Sequence, residues 1–330
     1  MDRRDFLTSS LACAAAHAFA SFGSVAPAAA QTAPASDQPF GYATLKDEAR
    51  QLAQKPHADR AVRVPQRWAE LSFEQYREIR WKRDLLVWRG ENRGFALEPL
   101  PAGSVYNLAV DVYLIDNGVA LPLAFDREHF DWGNQAAPDP GVVLPFSGVK
   151  LHRPSPDGQR WPEFAVFQGA SYFKATLRDL RYGLTARGLA VNTASPDGEE
   201  FPVFTRFYVE RPEENATSIR LYALLESKSL TGAYRVTLRQ GEETSTDVEL
   251  TLFPRVDLDH VGLGALNSMF LYGAIGRTRQ DDIRPAVHLS DGLAVKTGSG
   301  ERIWRPLANP ATLQISAFGD ENPLGFGLAQ

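Results

Sequence analysis

The chain has 330 residues, 44% hydrophobic and 23% charged, with a formal net charge of −5. That balance is ordinary for a globular protein, and the absence of any basic block argues against nucleic acid as a partner. The length can supply one large core or two smaller ones.

Asp2-Arg3-Arg4-Asp5-Phe6-Leu7 places twin arginines before an apolar pair. An Ala-rich stretch follows from Leu11 to Phe22, and Ala28-Ala29-Ala30 precedes Gln31. A charged start, a short hydrophobic centre and a small-residue cleavage site are the parts of an export signal. The paired arginines indicate the twin-arginine route. The stretch falls short of the ~20 strongly apolar residues that span a bilayer, and it continues past Cys13, which argues against a lipid-anchored cysteine. Residues 1–30 are therefore expected to be cleaved, leaving a protein that works in the periplasm and does not span the membrane. Cleavage removes Cys13, the sole cysteine, so the mature fold is expected to rest on burial, although that compartment permits disulfides.

Residues 31–39, rich in Ala, Pro, Ser and Gln, read as a flexible leader. A first short helix is expected from about Thr44 to Gln54, with Thr44 and Asp47 at capping-box spacing and Leu45, Ala49 and Leu52 on one face. A second follows Ser72, with Gln75 three residues on and Leu71 and Tyr76 placed as a hydrophobic staple. Strands are expected from Phe95 onward. Val105–Ile115 and Val119–Phe125 flank the turn Asp116-Asn117-Gly118. Further runs are Phe164–Thr176, Tyr182–Thr193, Val203–Glu210 and Ser218–Glu226, and Ala233–Arg239 and Val248–Phe253 flank Gln240-Gly241. Val287, Leu293–Thr297, Ile303, Leu313–Phe318 and a strand opening at Pro323 continue the pattern. Many short strands with frequent turns indicate a mainly β protein, an antiparallel sandwich or barrel.

No nucleophile elbow, zinc-protease pair, phosphate loop or dinucleotide fingerprint appears, so no cofactor is expected. The mature histidines, His57, His129, His152, His260 and His288, lack ligand spacing, so no metal site is expected. Three local constellations remain. His288, Leu289, Ser290 and Asp291 surround a turn before Gly292, where Asp291 either caps backbone donors or meets a ligand. Trp304 lies close to Arg302 and Arg305, which suits either sugar stacking or cation–π packing. Asp197, Glu199 and Glu200 form a carboxylate cluster, read either as a solvated loop or as the source of an acid or base.

Gln168-Gly169-Ala170-Ser171-Tyr172-Phe173 and Tyr182-Gly183-Leu184-Thr185-Ala186-Arg187-Gly188-Leu189-Ala190 closely resemble the periplasmic glucan biosynthesis proteins of the MdoG/OpgG and OpgD family. Gly198-Glu199-Glu200-Phe201-Pro202, Tyr222-Ala223-Leu224-Leu225, Thr231-Gly232-Ala233-Tyr234, Ser268-Met269-Phe270, Trp304-Arg305-Pro306-Leu307 and Gly325-Phe326-Gly327-Leu328 follow in order. The matches are collinear over residues 40–330, and the twin-arginine start resembles the OpgD branch. The resemblance implies a large β-sandwich of galactose-mutarotase-like type over 40–330, with a few short N-terminal helices. It also implies a following immunoglobulin-like domain, which this chain is expected to lack. The implied ligand is a β-1,2-linked glucan, with a membrane glucan synthase as a partner. Some members resemble inverting β-1,2-glucanases. Here Leu289 stands where such a member carries a candidate base, and the region of the acid lies beyond Gln330. The substrate-contact candidates are His288, Asp291, Trp304 and Arg305. No catalytic residue is assigned.

Overall fold

The computed structural model describes residues 39–58, 64–177, 184–274 and 282–329. The expected signal and most of the leader lie outside the described residues, as does the start of the expected strand Tyr182–Thr193.

Two six-stranded sheets form the body of the protein. In the first, the order is Thr244–Pro254, Leu230–Gln240, Ser218–Glu226, Val203–Glu210, Asp111–Asp116, Val119–Pro122. In the second it is Ala265–Asn267, Thr185–Arg187, Tyr172–Ala175, Glu163–Gln168, Phe146–His152, Ala96–Pro101. The second sheet is antiparallel throughout. The first departs from the antiparallel expectation at one seam, where Val203–Glu210 runs parallel to Asp111–Asp116. Between those two strands the chain builds most of the second sheet, so no hairpin forces them to run in opposite directions.

The main core lies between the sheets. Leu97, Val149, Leu151 and Phe167 come from the second, and Phe207, Val209, Leu221, Leu225 and Val236 from the first. Successive strand residues point to opposite faces, so the remaining apolar residues of Ser218–Glu226 need a second cover. The helix Tyr42–Ala53 supplies it, packing Tyr42, Leu45 and Ala49 against Tyr222 and Leu224. The Tyr42 hydroxyl donates to Ala233 O at 3.0 Å, and Thr231 Oγ1 donates to Ala49 O at 2.7 Å. Burial on both faces explains the unbroken apolar run Leu221–Leu225.

Local chemistry sets the ends of these elements. The first helix starts two residues earlier than expected, at an N-cap Gly41 that offers no side chain, so Thr44 lies inside it. Its hydroxyl donates back to Pro39 O at 3.5 Å. The second expected helix, Phe73–Glu78, carries the full reciprocal capping box of Ser72 and Gln75. Asn117 and Gly118 both have positive φ, 50° and 79°, as the two-residue hairpin turn requires.

Beyond Pro254 the chain forms smaller units. Phe270–Tyr272 pairs with Val287–His288, and Gly292–Lys296 lies between Arg302–Pro306 and Gly325–Ala329 in a three-stranded sheet. The expected strand at Leu313–Phe318 is irregular instead, with Leu313 and Ile315 84% and 74% exposed. No helix among the described residues is long and apolar enough to cross a membrane.

Candidate functional site

A cleft of about 600 Å³ is lined by Asn192, Asp197, Glu199, Glu200, Phe201, Glu226, Lys228 and His57, among others. The carboxylate cluster of the sequence is thus part of a cleft wall, not a free loop. Two backbone features fold it there. Gly198 takes φ 100°, a region costly for side chains, and Glu200 N donates to Val191 O at 3.1 Å.

Each carboxylate has a distinct setting. Glu200 accepts from both the backbone N–H and the hydroxyl of Ser229, at 3.0 and 2.9 Å. Its partial burial raises the pKa, but hydrogen bonds from Ser227 and Ser229, with His57 nearby, more than offset this and hold the carboxyl below its ordinary range. Glu199 is paired with Arg187 and accepts from Thr193 Oγ1 at 2.9 Å. Glu226, only 8% exposed, accepts from Thr205 Oγ1 at 2.7 Å.

Arg187 organises the wall. It is buried on the strand Thr185–Arg187, and it also donates to Glu200 O at 3.0 Å. Its guanidinium lies 4.5 Å from the ring centre of Phe201 and 5.7 Å from that of Tyr172. Phe201 nevertheless leaves half its surface open. An exposed ring beside fixed, ionised acceptors suits a neutral polyhydroxylated ligand, whose C–H face packs on the ring and whose hydroxyls donate to carboxylates. The same charges disfavour an anionic ligand.

The four contact candidates from the sequence lie elsewhere, on and beside the three-stranded sheet. His288 Nε2 is 3.2 Å from Asp291 Oδ1, and the His288 ring stacks on Phe270 with centres 5.6 Å apart. The Asp291 carboxylate thus faces the imidazole, while its backbone ties two strands: its N–H donates to Ala329 O and its carbonyl accepts from Leu307 N, both at 2.8 Å. Leu289 N donates to Met269 O at 2.7 Å, and Ser290 is fully buried against Ser268. Trp304 opposes Ala294, and Arg305 opposes Leu293. As neighbours in a strand they project to opposite faces. The Trp304 indole lies over Gly292, where a Cβ would meet it at 2.4 Å. The Arg305 guanidinium lies 5.6 Å from the ring of Phe318, so that ring, not the indole, is its aromatic partner.

Sequence reasoning singled out the carboxylates but not Arg187, Ser229 or Glu226. Arg187 did leave a signal, as a lone cation in the small and apolar run Thr185–Val191. Such a residue is rarely buried unless it is paired. No cluster of His, Cys, Asp or Glu suited to a metal ion is found among the described residues.

Residues 40–330 match the family described as periplasmic glucan biosynthesis protein, MdoG. Similar relatives are proteins named Glucans biosynthesis protein G. That of Rhodopseudomonas palustris strain BisA53 is 43% identical over 92% of this chain and 60% of its own length. That of Bradyrhizobium diazoefficiens is 41% identical over 100% of this chain and 64% of its own. One from Vibrio cholerae is 44% identical over 88% of this chain and 54% of its own. The chain therefore spans a little over half to just under two thirds of the length of these relatives. A match over this much of the chain, with this level of identity, makes the chain a member of the periplasmic glucan biosynthesis family.

Proposed function

We propose that this chain binds a β-glucan in the periplasm during glucan biosynthesis and holds the polymer without cutting it. The supporting observation is the cleft wall. The exposed Phe201 ring is braced by Arg187, beside Glu200 held ionised by Ser229. The names of the relatives point to glucans, and the resemblance in the sequence points to a β-1,2-linked backbone. His288, Asp291 and Trp304 would then meet a further stretch of a long chain, and a membrane glucan synthase would supply it.

Retention follows from protonation. Inverting hydrolysis needs a protonated acid on one side of the bond and a base activating water on the other. A carboxyl held below its ordinary range, as Glu200 is, is the wrong state for that acid near neutral pH, and Leu289 has no group that can accept a proton from water. Electrophoresis through a gel containing linear β-1,2-glucan tests this reading, together with an assay of reducing ends in the same mixture. Retarded migration with a constant number of reducing ends is expected. Unretarded migration would remove the binding reading, and new reducing ends would replace retention by hydrolysis.

A further inference from the structure

A second, smaller hollow of about 60 Å³ shares Leu108 with the cleft as a common wall. It is too small for a sugar ring, yet ample for a group of a few atoms, since one water needs only ~10–15 Å³ on this measure. Val105, Leu108, Phe204 and Phe207 form an apolar part of its wall, and no charged side chain lines it. The polar side chains at its surface include Ser147 and Gln168.

The orientation of Gln168 is fixed by its neighbours. The hydroxyls of Tyr76 and Ser147 both donate to Pro101 O, at 2.8 and 2.9 Å. With their protons committed, each can only accept from Gln168, whose Nε2 donates to them at 2.8 and 2.9 Å. Turning the amide over would set its oxygen against two oxygens with no proton to give. Burial pushes the Tyr76 phenol up to about 12 despite its hydrogen bonds, so this pattern persists at every pH near neutrality. Both N–H groups of the amide are spent, and Oε1 has no partner among the described residues. The pocket therefore joins an apolar wall to an oriented acceptor on Gln168, with Tyr106 also lining it.

We propose that this pocket takes the exocyclic hydroxymethyl group of one glucose unit, its CH₂ against the apolar wall and its hydroxyl donating to Gln168 Oε1. The inference rests on the glucan reading above and adds to it a specificity-determining residue. The hydroxymethyl is the one part of a glucopyranose that joins an apolar carbon outside the ring to a single donor. A charged substituent at that carbon would be left unpaired against the apolar wall, so the protein selects neutral glucose units here.

The test titrates the wild-type protein with two probes, a linear β-1,2-gluco-oligosaccharide and the same oligosaccharide with its 6-hydroxyls replaced by hydrogen. The deoxy probe is expected to bind about tenfold more weakly, the loss from one buried hydrogen bond whose acceptor is left unpaired. Gln168→Leu should bind both probes alike. Equal binding of the two probes by the wild type overturns this inference and leaves the glucan reading standing. Binding of neither probe overturns both. Retained tenfold discrimination in a folded Gln168→Leu protein removes Gln168 from the role.

Discussion

The guanidinium of Arg187 lies against the ring of Phe201 while the same group is paired with Glu199 and donates to the backbone of Glu200. One buried cation thus sets the positions of the exposed ring and of the acceptors beside it. Arg187→Ala would leave Glu199 unpaired in a partly buried wall. A loss of ~3–5 kcal/mol in unfolding free energy is expected, the usual cost of removing one partner of a buried ion pair. Urea denaturation measures it. A loss below ~1 kcal/mol, the value of an exposed pair, would show that Arg187 does not brace the wall.

A second charged group, on the second sheet, makes stability depend on acid. His152 and Lys150 flank Glu98, and Lys150 also reaches Glu163: His152 Nε2 is 2.8 Å from Glu98 Oε2, and Lys150 Nζ lies 3.5 Å from Glu98 and 2.9 Å from Glu163. Burial raises the Glu98 pKa, but the hydrogen bond from His152 and the charge of Lys150 outweigh it and leave the group below its ordinary value. A depressed carboxylate contributes stability in full above its unfolded value of ~4.3 and loses it as pH falls through the lower folded value. Glu98→Gln should therefore lower the urea midpoint at neutral pH and narrow its gap from the wild type as the solution is acidified below about pH 4. A gap of constant size from neutral to acid would contradict this.

The raised Lys150 gives the opposite limb. Burial lowers its pKa, but Glu98 and Glu163 together raise it above the ordinary lysine value. Its stabilising effect is complete below ~10.4 and is lost only as pH rises through the folded value. Lys150→Met should therefore lose stability at neutral pH, and the deficit relative to the wild type should shrink only in strong alkali. A deficit that shrinks near neutrality would refute the assignment.

Gly292→Ala would place a methyl group where the Trp304 indole lies, 2.4 Å away. Overpacking of this kind costs ~1–3 kcal/mol, and the indole should shift toward solvent with a red-shifted fluorescence contribution. Trp304→Ala tests whether that ring also touches ligand. A stacking role would weaken glucan binding by ~1 kcal/mol, and unchanged binding would confine Trp304 to covering Gly292.

Much of the sheet framework was legible in the sequence. Val203–Glu210 and Ser218–Glu226 have the expected boundaries, because dense β-branched and aromatic residues end at clear turn residues. Val105–Ile115 was only half right. Gly103 and Tyr106 bond to each other around Ser104, whose φ is 52°, and the strand begins at Asp111. Apolar Val105 and Leu108 line a hollow, not a sheet face, and alternation cannot tell the two apart. Leu313–Phe318 alternates as a strand should, but alternation supplies no neighbour for a ladder, and no strand among the described residues pairs with it. The parallel seam was invisible for a similar reason, since pairing partners far apart in the chain leave no local signature. At the site, the carboxylates were legible as a cluster. What makes them a wall is Arg187 and Ser229, which reach them from 12 and 29 residues away, and no spacing rule predicts such contacts.

The most direct test is calorimetric titration of linear β-1,2-glucan into the wild type and into Phe201→Ala, with chain length checked after each run. Binding by the wild type is expected, with affinity at least about fivefold lower in the variant, the loss of ~1 kcal/mol for one stacked ring, and with the polymer recovered at its starting length. Equal affinity in the two proteins, or a shortened polymer, would contradict a cleft that grips the glucan and leaves it whole.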